Sequence, residues 1–163
     1  MGWGICSVRW NLVSAKSHSL VTAVIDAILD TGPLVGSLDR SDQWHEWAVK
    51  AFATIRQPAV TCDAVISEAC FLLRGTPDSR GKLFALIERG ILKVVPVLPD
   101  ESPAVRTLLS RYGQRMDYAD ACLVRLAELN RNHTIVTTDI EDFRIYRRFG
   151  RQTLSILVPP DKR

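Results

Sequence analysis

Asp30, Glu68, Asp120 and Asp139 are the residues whose type and surroundings point to chemistry. An acid on a helix is ordinarily solvated or paired with a cation three or four residues away. Around Glu68 those offsets hold Ala64, Val65, Phe71 and Leu72. Around Asp120 they hold Met116, Asp117, Leu123 and Val124, so the only charged neighbour is another acid. At about 100° per residue, Asp120 falls between Val124 and Ala127 on an apolar helix face. Glu128, by contrast, has Arg125 and Arg131 within one turn and Glu46 has Lys50, the pattern of surface residues. Glu88 also lacks a helical cation, but it lies near Gly90, where the helix is expected to end in water. A carboxylate on a buried helical face needs a partner from outside the helix, a proton or a metal ion.

If the four acids converge at about 5 Å, each pair repels by roughly 3 kcal/mol at an effective dielectric near 20. They cannot then all stay ionised without a divalent cation. Oxygen-only donors favour a hard ion, Mg²⁺ or Mn²⁺, over zinc. Such an ion lowers the pKa of a bound water and stabilises charge building on a phosphate, the chemistry of phosphodiester hydrolysis. His18, His45 and His133 stand beside no nucleophile motif. A phosphatase with an aspartyl nucleophile at Asp30 is a second reading, but that chemistry wants Asp-x-Asp and position 32 is Gly. A catalytically silent binding or dimerisation module is a third.

The elements that must position these acids are short apolar runs alternating with helical patterns. AVIDAIL, PAVTC, ILKVVPV, HTIVTT and TLSIL are five candidate strands. Between them SDQWHEWAVKAFATI, DAVISEACFLLRG, DSRGKLFALIERG, ESPAVRTLLSRYG and MDYADACLVRLAELN space their apolar residues as helices do. Strands separated by helices imply an α/β fold with a mostly parallel five-stranded sheet covered on both faces. In such sheets the functional crevice lies beyond the carboxyl ends of the strands, where Asp30 and Asp139 are expected.

The chain of 163 residues suits one domain, expected over residues 23–158, with an appendage at 1–22 and a tail at 159–163. Its apolar and charged fractions are those of a soluble globular protein, and no run is long enough to span a membrane. No signal peptide is expected, so the protein is read as cytoplasmic. Cys6, Cys62, Cys70 and Cys122 lack zinc-ligand spacing and read as reduced thiols, mostly in the core. A net charge of +3 permits nucleic-acid binding without arguing for it.

Four segments in order carry a resemblance: Asp-Thr-Gly-Pro-Leu at 30–34, Ser-Glu-Ala at 67–69, Met-Asp-Tyr-Ala-Asp-Ala at 116–121 and Thr-Thr-Asp-Ile-Glu-Asp-Phe at 137–143. From about Ile25 to Leu157 the sequence resembles a PIN-domain nuclease, and among these the VapC-type toxin ribonucleases of bacterial toxin–antitoxin pairs. The resemblance implies a PIN-like three-layer fold and a Mg²⁺ or Mn²⁺ site built from Asp30, Glu68, Asp120 and Asp139. Asp117 matches a further acid found in part of the family. Thr31 and Thr138 would hydrogen-bond carboxylates or bound water. An RNA substrate, a homodimer and a small antitoxin that covers the active-site groove are also implied; a PIN-type nuclease that processes RNA or DNA without an antitoxin is the alternative. The first 22 or so residues depart from the family pattern.

Simpler roles compete at several positions. Asp30 and Asp139 could each cap a following helix, and Asp63 is expected to do so. Asp26 is expected to open the first strand near solvent, and Asp142 to sit in the first turn of a helix, where an acid suits the dipole. Trp44 and Trp47 are expected to pack their helix. Arg144, Arg147, Arg148 and Arg151 could contact RNA phosphates or form a solvated basic helix face.

Overall fold

The computed structural model of the chain describes residues 24–160. The expected appendage, with Cys6 and His18, and the end of the expected tail lie outside them. Five strands form one parallel sheet in the order β3-β2-β1-β4-β7: β1 (Ile25–Leu29), β2 (Ile55–Cys62), β3 (Leu92–Val95), β4 (Thr134–Val136) and β7 (Ile156–Leu157). This is the α/β layered architecture expected from the alternating pattern. Strand β1 lies at the centre, and Ala27, Ile28 and Leu29 are all buried, as both faces of a covered parallel sheet require.

Among the described residues seven α-helices flank the sheet: α1 (Thr31–Leu38), α2 (His45–Phe52), α3 (Asp63–Leu72), α4 (Ser79–Glu88), α5 (Leu98–Tyr112), α6 (Tyr118–Leu129) and α7 (Ile140–Phe143). The sequence reading places α2 to α6, with α2 shorter than the run 41–55 suggests. Asp39 and Asp42 there hold a turn, each accepting from a backbone N–H two residues on. Two elements escape that reading. Helix α1 (TGPLVGSL) has two glycines and a proline, yet Pro33 falls in the first turn, where the missing N–H costs nothing. Gly32 is explained by proximity: a Cβ there would collide with the side chain of Thr138, just past the end of β4. The second element is an antiparallel hairpin of β5 (Arg147–Arg148) and β6 (Gln152–Thr153). Arg147 and Arg148 therefore lie on a strand and not on a basic helix face.

Other expectations need correction. Glu128 is buried rather than a surface residue. Its Oε2 accepts from Arg125 Nη1 at 2.7 Å and its Oε1 from the Phe149 N–H at 2.7 Å, while Arg125 Nε also donates to Glu101 at 2.8 Å. Helical offsets reveal a nearby cation but not how far the pair is removed from water. Asp63 is the first residue inside α3; Cys62 holds the cap position and makes no side-chain cap bond. Asp26 lies in β1 within 3.6 Å of Arg56. By contrast, Trp47 packs against the core and Cys62 and Cys122 are buried, as the sequence suggests.

Candidate active site

Parallel strands deliver their carboxyl ends to one edge, and three of the helices, α1, α6 and α7, open with an acid at the cap position. Asp30 follows β1 and caps α1, with Oδ1 accepting from Thr31 N at 2.6 Å. Asp139 follows β4 and caps α7, with Oδ1 accepting from Asp142 N at 3.0 Å. Asp117 caps α6, with Oδ1 accepting from Asp120 N at 2.8 Å. Capping and membership of a site are thus not alternatives here. An N-cap carboxylate satisfies an orphan helix donor and points its remaining lone pairs away from the helix.

Asp30, Glu68, Asp117, Asp120 and Asp139 line one cleft of about 370 Å³, together with Thr31 and Thr138. The structure therefore brings together every acid and both threonines singled out from the sequence. Glu68 differs from expectation in its setting. It is exposed, because Phe71 and Leu72 on the same face are exposed as well, so apolar neighbours did not signal a buried face. Its partner does come from outside the helix, since Thr31 Oγ1 donates to Glu68 Oε2 at 2.8 Å. A hollow of about 410 Å³ under the loop 74–81 has Asp78 as its single acid beside Arg74 and Arg80, and lacks such a grouping.

Four residues at the cleft were not assigned there by the sequence. Thr137, rather than Thr138, is the hydroxyl bonded to an acid: its Oγ1 donates to Asp30 Oδ2 at 2.6 Å and accepts from Asp139 N at 2.9 Å. The bond to the N–H two residues on is a common threonine habit and was the available signal. Tyr146, fully buried, places its hydroxyl 2.9 Å from Asp120 Oδ2 and 2.6 Å from the Arg115 carbonyl. Arg115 and Asp142 both line the cleft and pair at 2.7 Å. Asp142 does occupy the first turn of α7, as expected.

Burial acts strongly on two of the acids, Asp30 and Asp120. Asp30 keeps a small opening to the cleft but is otherwise enclosed by protein. This burial pushes its pKa up to about 6, against the hydrogen bonds from Thr137 and Thr31, with Glu68 and Asp139 adding repulsion. Burial also raises Asp120 to about 7, followed by repulsion from Asp117, while the Tyr146 hydroxyl opposes the shift and Asp30 adds to it. The acids thus lie within one another's field. Arg144, Arg147 and Arg148 are not among the lining residues. Arg147 Nη1 donates to the carbonyls of Arg144, Ile145 and Tyr146, and Arg148 Nη1 to that of Arg131.

The sheet order, the acids at its carboxyl edge and the helices they cap correspond to a known family. Residues 27–148 match the model of the PIN domain. The chain belongs to the PIN domain family. No curated protein matches it in sequence. Its PIN fold is shared with solved structures at low identity. VapC20 of Mycobacterium tuberculosis, described as a sarcin-ricin loop cleaving toxin, superposes with a TM-score of 0.64 at 18% identity, covering 72% of this chain and 92% of that one. A chain of a toxin–antitoxin complex from Klebsiella pneumoniae gives 0.58 at 18% identity over 72% and 90%. A chain of the DNA-bound VapBC complex of Salmonella typhimurium gives 0.50 at 16% identity over 83% and 98%.

Whether this PIN site suits a metal ion is decided by its donors. Among the described residues, no three acids, histidines or cysteines are drawn closely enough together to hold an ion in this arrangement. Each carboxylate is instead turned toward a protein donor, yet none has its lone pairs exhausted by these bonds. The donor set around the cleft is carboxylate and hydroxyl oxygen without histidine or cysteine. That set fits a hard divalent cation, and the raised pKa values of Asp30 and Asp120 are what uncompensated carboxylates show.

Proposed function

We propose that this PIN domain is a Mg²⁺- or Mn²⁺-dependent endoribonuclease, the toxin of a type II toxin–antitoxin pair, acting in the cytoplasm as a homodimer. The observation that carries the reading is the convergence of Asp30, Glu68, Asp117, Asp120 and Asp139 on one cleft, with burial raising the pKa of two of the carboxylates. The likeness to a toxin named for cleaving the sarcin-ricin loop supports RNA as the substrate. The likeness to chains of toxin–antitoxin complexes supports a small protein partner. Leu72 lines the cleft, and with Phe71 it leaves apolar surface beside Glu68 for such a partner to cover.

Asp30 and Asp120 would be the principal metal ligands, with Glu68, Asp139 and Asp117 completing the acidic pocket. When bound, the divalent ion supplies a more acidic water and a counter-charge for the phosphate. The chain's own residues hold the acids in place. Thr137 and the Thr31 N–H hold the two oxygens of Asp30, the Thr31 hydroxyl holds Glu68 and Tyr146 holds Asp120. Asp30→Asn tests the reading. The variant is expected to melt within a few degrees of wild type and to lose cleavage of total bacterial RNA in Mg²⁺ or Mn²⁺ by at least about a hundredfold. Cleavage at the wild-type rate overturns the assignment. Wild-type protein that takes up no Mn²⁺ in a calorimetric titration supports a silent binding module instead.

A further inference from the structure

A cleft lined with carboxylates repels a polyanion, so a nuclease of this kind needs a cation at its rim to hold the strand. Among the described lining residues Arg115 is the one cation. Its backbone is fixed where a short turn over Gly113–Arg115 closes through Met116 N and Gly113 O at 3.3 Å, with Met116 buried behind it. Its carbonyl accepts from Tyr146, the same hydroxyl that touches Asp120. Its side chain is fixed by Nε donating to Asp142 Oδ1 at 2.7 Å. The two Nη nitrogens make no hydrogen bond among the described residues, and the side chain is 52% exposed. An ion pair this exposed adds little to stability. A guanidinium held at Nε and open at both Nη presents the fork that matches a phosphate.

We propose that Arg115 forms a phosphate subsite at the rim of the cleft, binding the backbone of single-stranded RNA without regard to base. The proposal rests on the ribonuclease reading above for its substrate. Arg144, Arg147 and Arg148, which the sequence suggested for this task, do not line the cleft, and the Nη1 groups of the last two are already engaged by carbonyls.

The test compares wild type, Arg115→Gln, Arg115→Lys and Arg89→Gln, an exposed arginine at the end of α4, in Mg²⁺. Affinity for a fluorescent pool of random 20-nucleotide RNA is read by anisotropy across a salt series, and cleavage of total bacterial RNA is read under single turnover. Arg115→Gln is expected to bind about tenfold more weakly at low salt and to lower the slope of log affinity against log salt by about 0.7, one single-strand phosphate contact. Its maximal single-turnover rate should change little, because the loss is in binding. Arg115→Lys should keep the slope and lose only part of the affinity, and Arg89→Gln should match wild type. A wild-type slope in Arg115→Gln overturns the subsite, as does an equal drop in Arg89→Gln. Wild-type protein that binds with the expected Arg115 dependence but never cleaves upholds the subsite and overturns the ribonuclease reading. Wild-type protein that neither binds nor cleaves overturns both.

Discussion

Helix α6 carries a buried acid near its carboxyl end and a half-buried one near its amino end, and their surroundings differ in kind. Glu128 is met by the Arg125 guanidinium and by a backbone N–H, so both its oxygens are served and its charge is offset. Asp120 receives one neutral hydroxyl from Tyr146 and its own helix N–H goes to Asp117, while the nearest charges, Asp117 and Asp30, are of its own sign. A chain that wanted only a stable helix would treat both ends alike. One acid ties α6 to the hairpin and holds the arginine that reaches Glu101 on α5; the other is kept uncompensated where a cation can supply what the protein withholds.

The sharpest way to break this contrast is to exchange the consequences of the two ends. Asp120→Asn is expected to reduce RNA cleavage on the order of a thousandfold, since a metal ligand contributes several kcal/mol to the barrier. Its stability at pH 7 should be unchanged or slightly higher, because a neutral amide replaces a desolvated carboxylate and still accepts from Tyr146. Arg125→Met should do the reverse. It leaves Glu128 buried without its cation and costs about 3 kcal/mol, the low end of the range for a buried pair because Arg125 remains 19% exposed. Cleavage per folded molecule should hold near wild type. Urea unfolding and single-turnover assays on both variants decide it, and a stable but inactive Arg125→Met would merge the two ends into one functional unit.

The uncompensated end also predicts a pH dependence. A carboxyl whose pKa is raised by folding binds its proton more tightly in the native state, so its contribution is fully present below the unfolded value and is lost as pH rises through the folded one. For Asp30 that window runs from about 3.8 to about 6, and for Asp120 from about 3.8 to about 7. Chelator-treated wild type should therefore lose stability relative to Asp30→Asn between pH 4 and pH 8, by about 2 kcal/mol once the open face of Asp30 is allowed for. Added Mn²⁺ should restore more of the wild-type stability at pH 8 than at pH 5, because metal and proton compete for the same oxygens. Denaturation profiles of the two proteins that run parallel across this range sink the idea that burial raises the Asp30 pKa.

The contrast within α6 also marks where sequence reasoning worked. Apolar runs such as AVIDAIL and HTIVTT announce central parallel strands because both faces must be covered, and the acids that follow them inherit their position from the topology. Asp120 was found through its missing helical partner. Glu68 met the same criterion while being exposed, and Glu128 failed it while being buried, because offsets along a helix report charges and not solvent. Helix α1 was obscured by its glycines and proline, which the contact with Thr138 and the first-turn position explain only in three dimensions. The strands of the hairpin are two polar residues each, too short to show a period. Arg115 and Tyr146 owe their roles to partners 27 and 26 residues away, beyond any local pattern.

The smallest effect is expected from two adjacent threonines that the same edge treats differently. Thr137 is fully buried and bridges Asp30 Oδ2 and Asp139 N, whereas Thr138 lines the cleft over Gly32 and its hydroxyl makes no hydrogen bond among the described residues. Thr137→Val keeps the shape and removes both bonds, leaving an enclosed carboxylate oxygen without its donor. It should cost about 1–2 kcal/mol and lower cleavage about tenfold or more, in the range of outer-shell partners of a metal ligand. Thr138→Val should stay within about 0.5 kcal/mol of wild type and retain most of its activity. Measuring both variants for unfolding and for cleavage ranks the two hydroxyls directly. If Thr138→Val proves the more damaging, then the hydroxyl that matters acts on water or substrate in the cleft, and the bond from Thr137 to Asp30 does no more than close the end of β4.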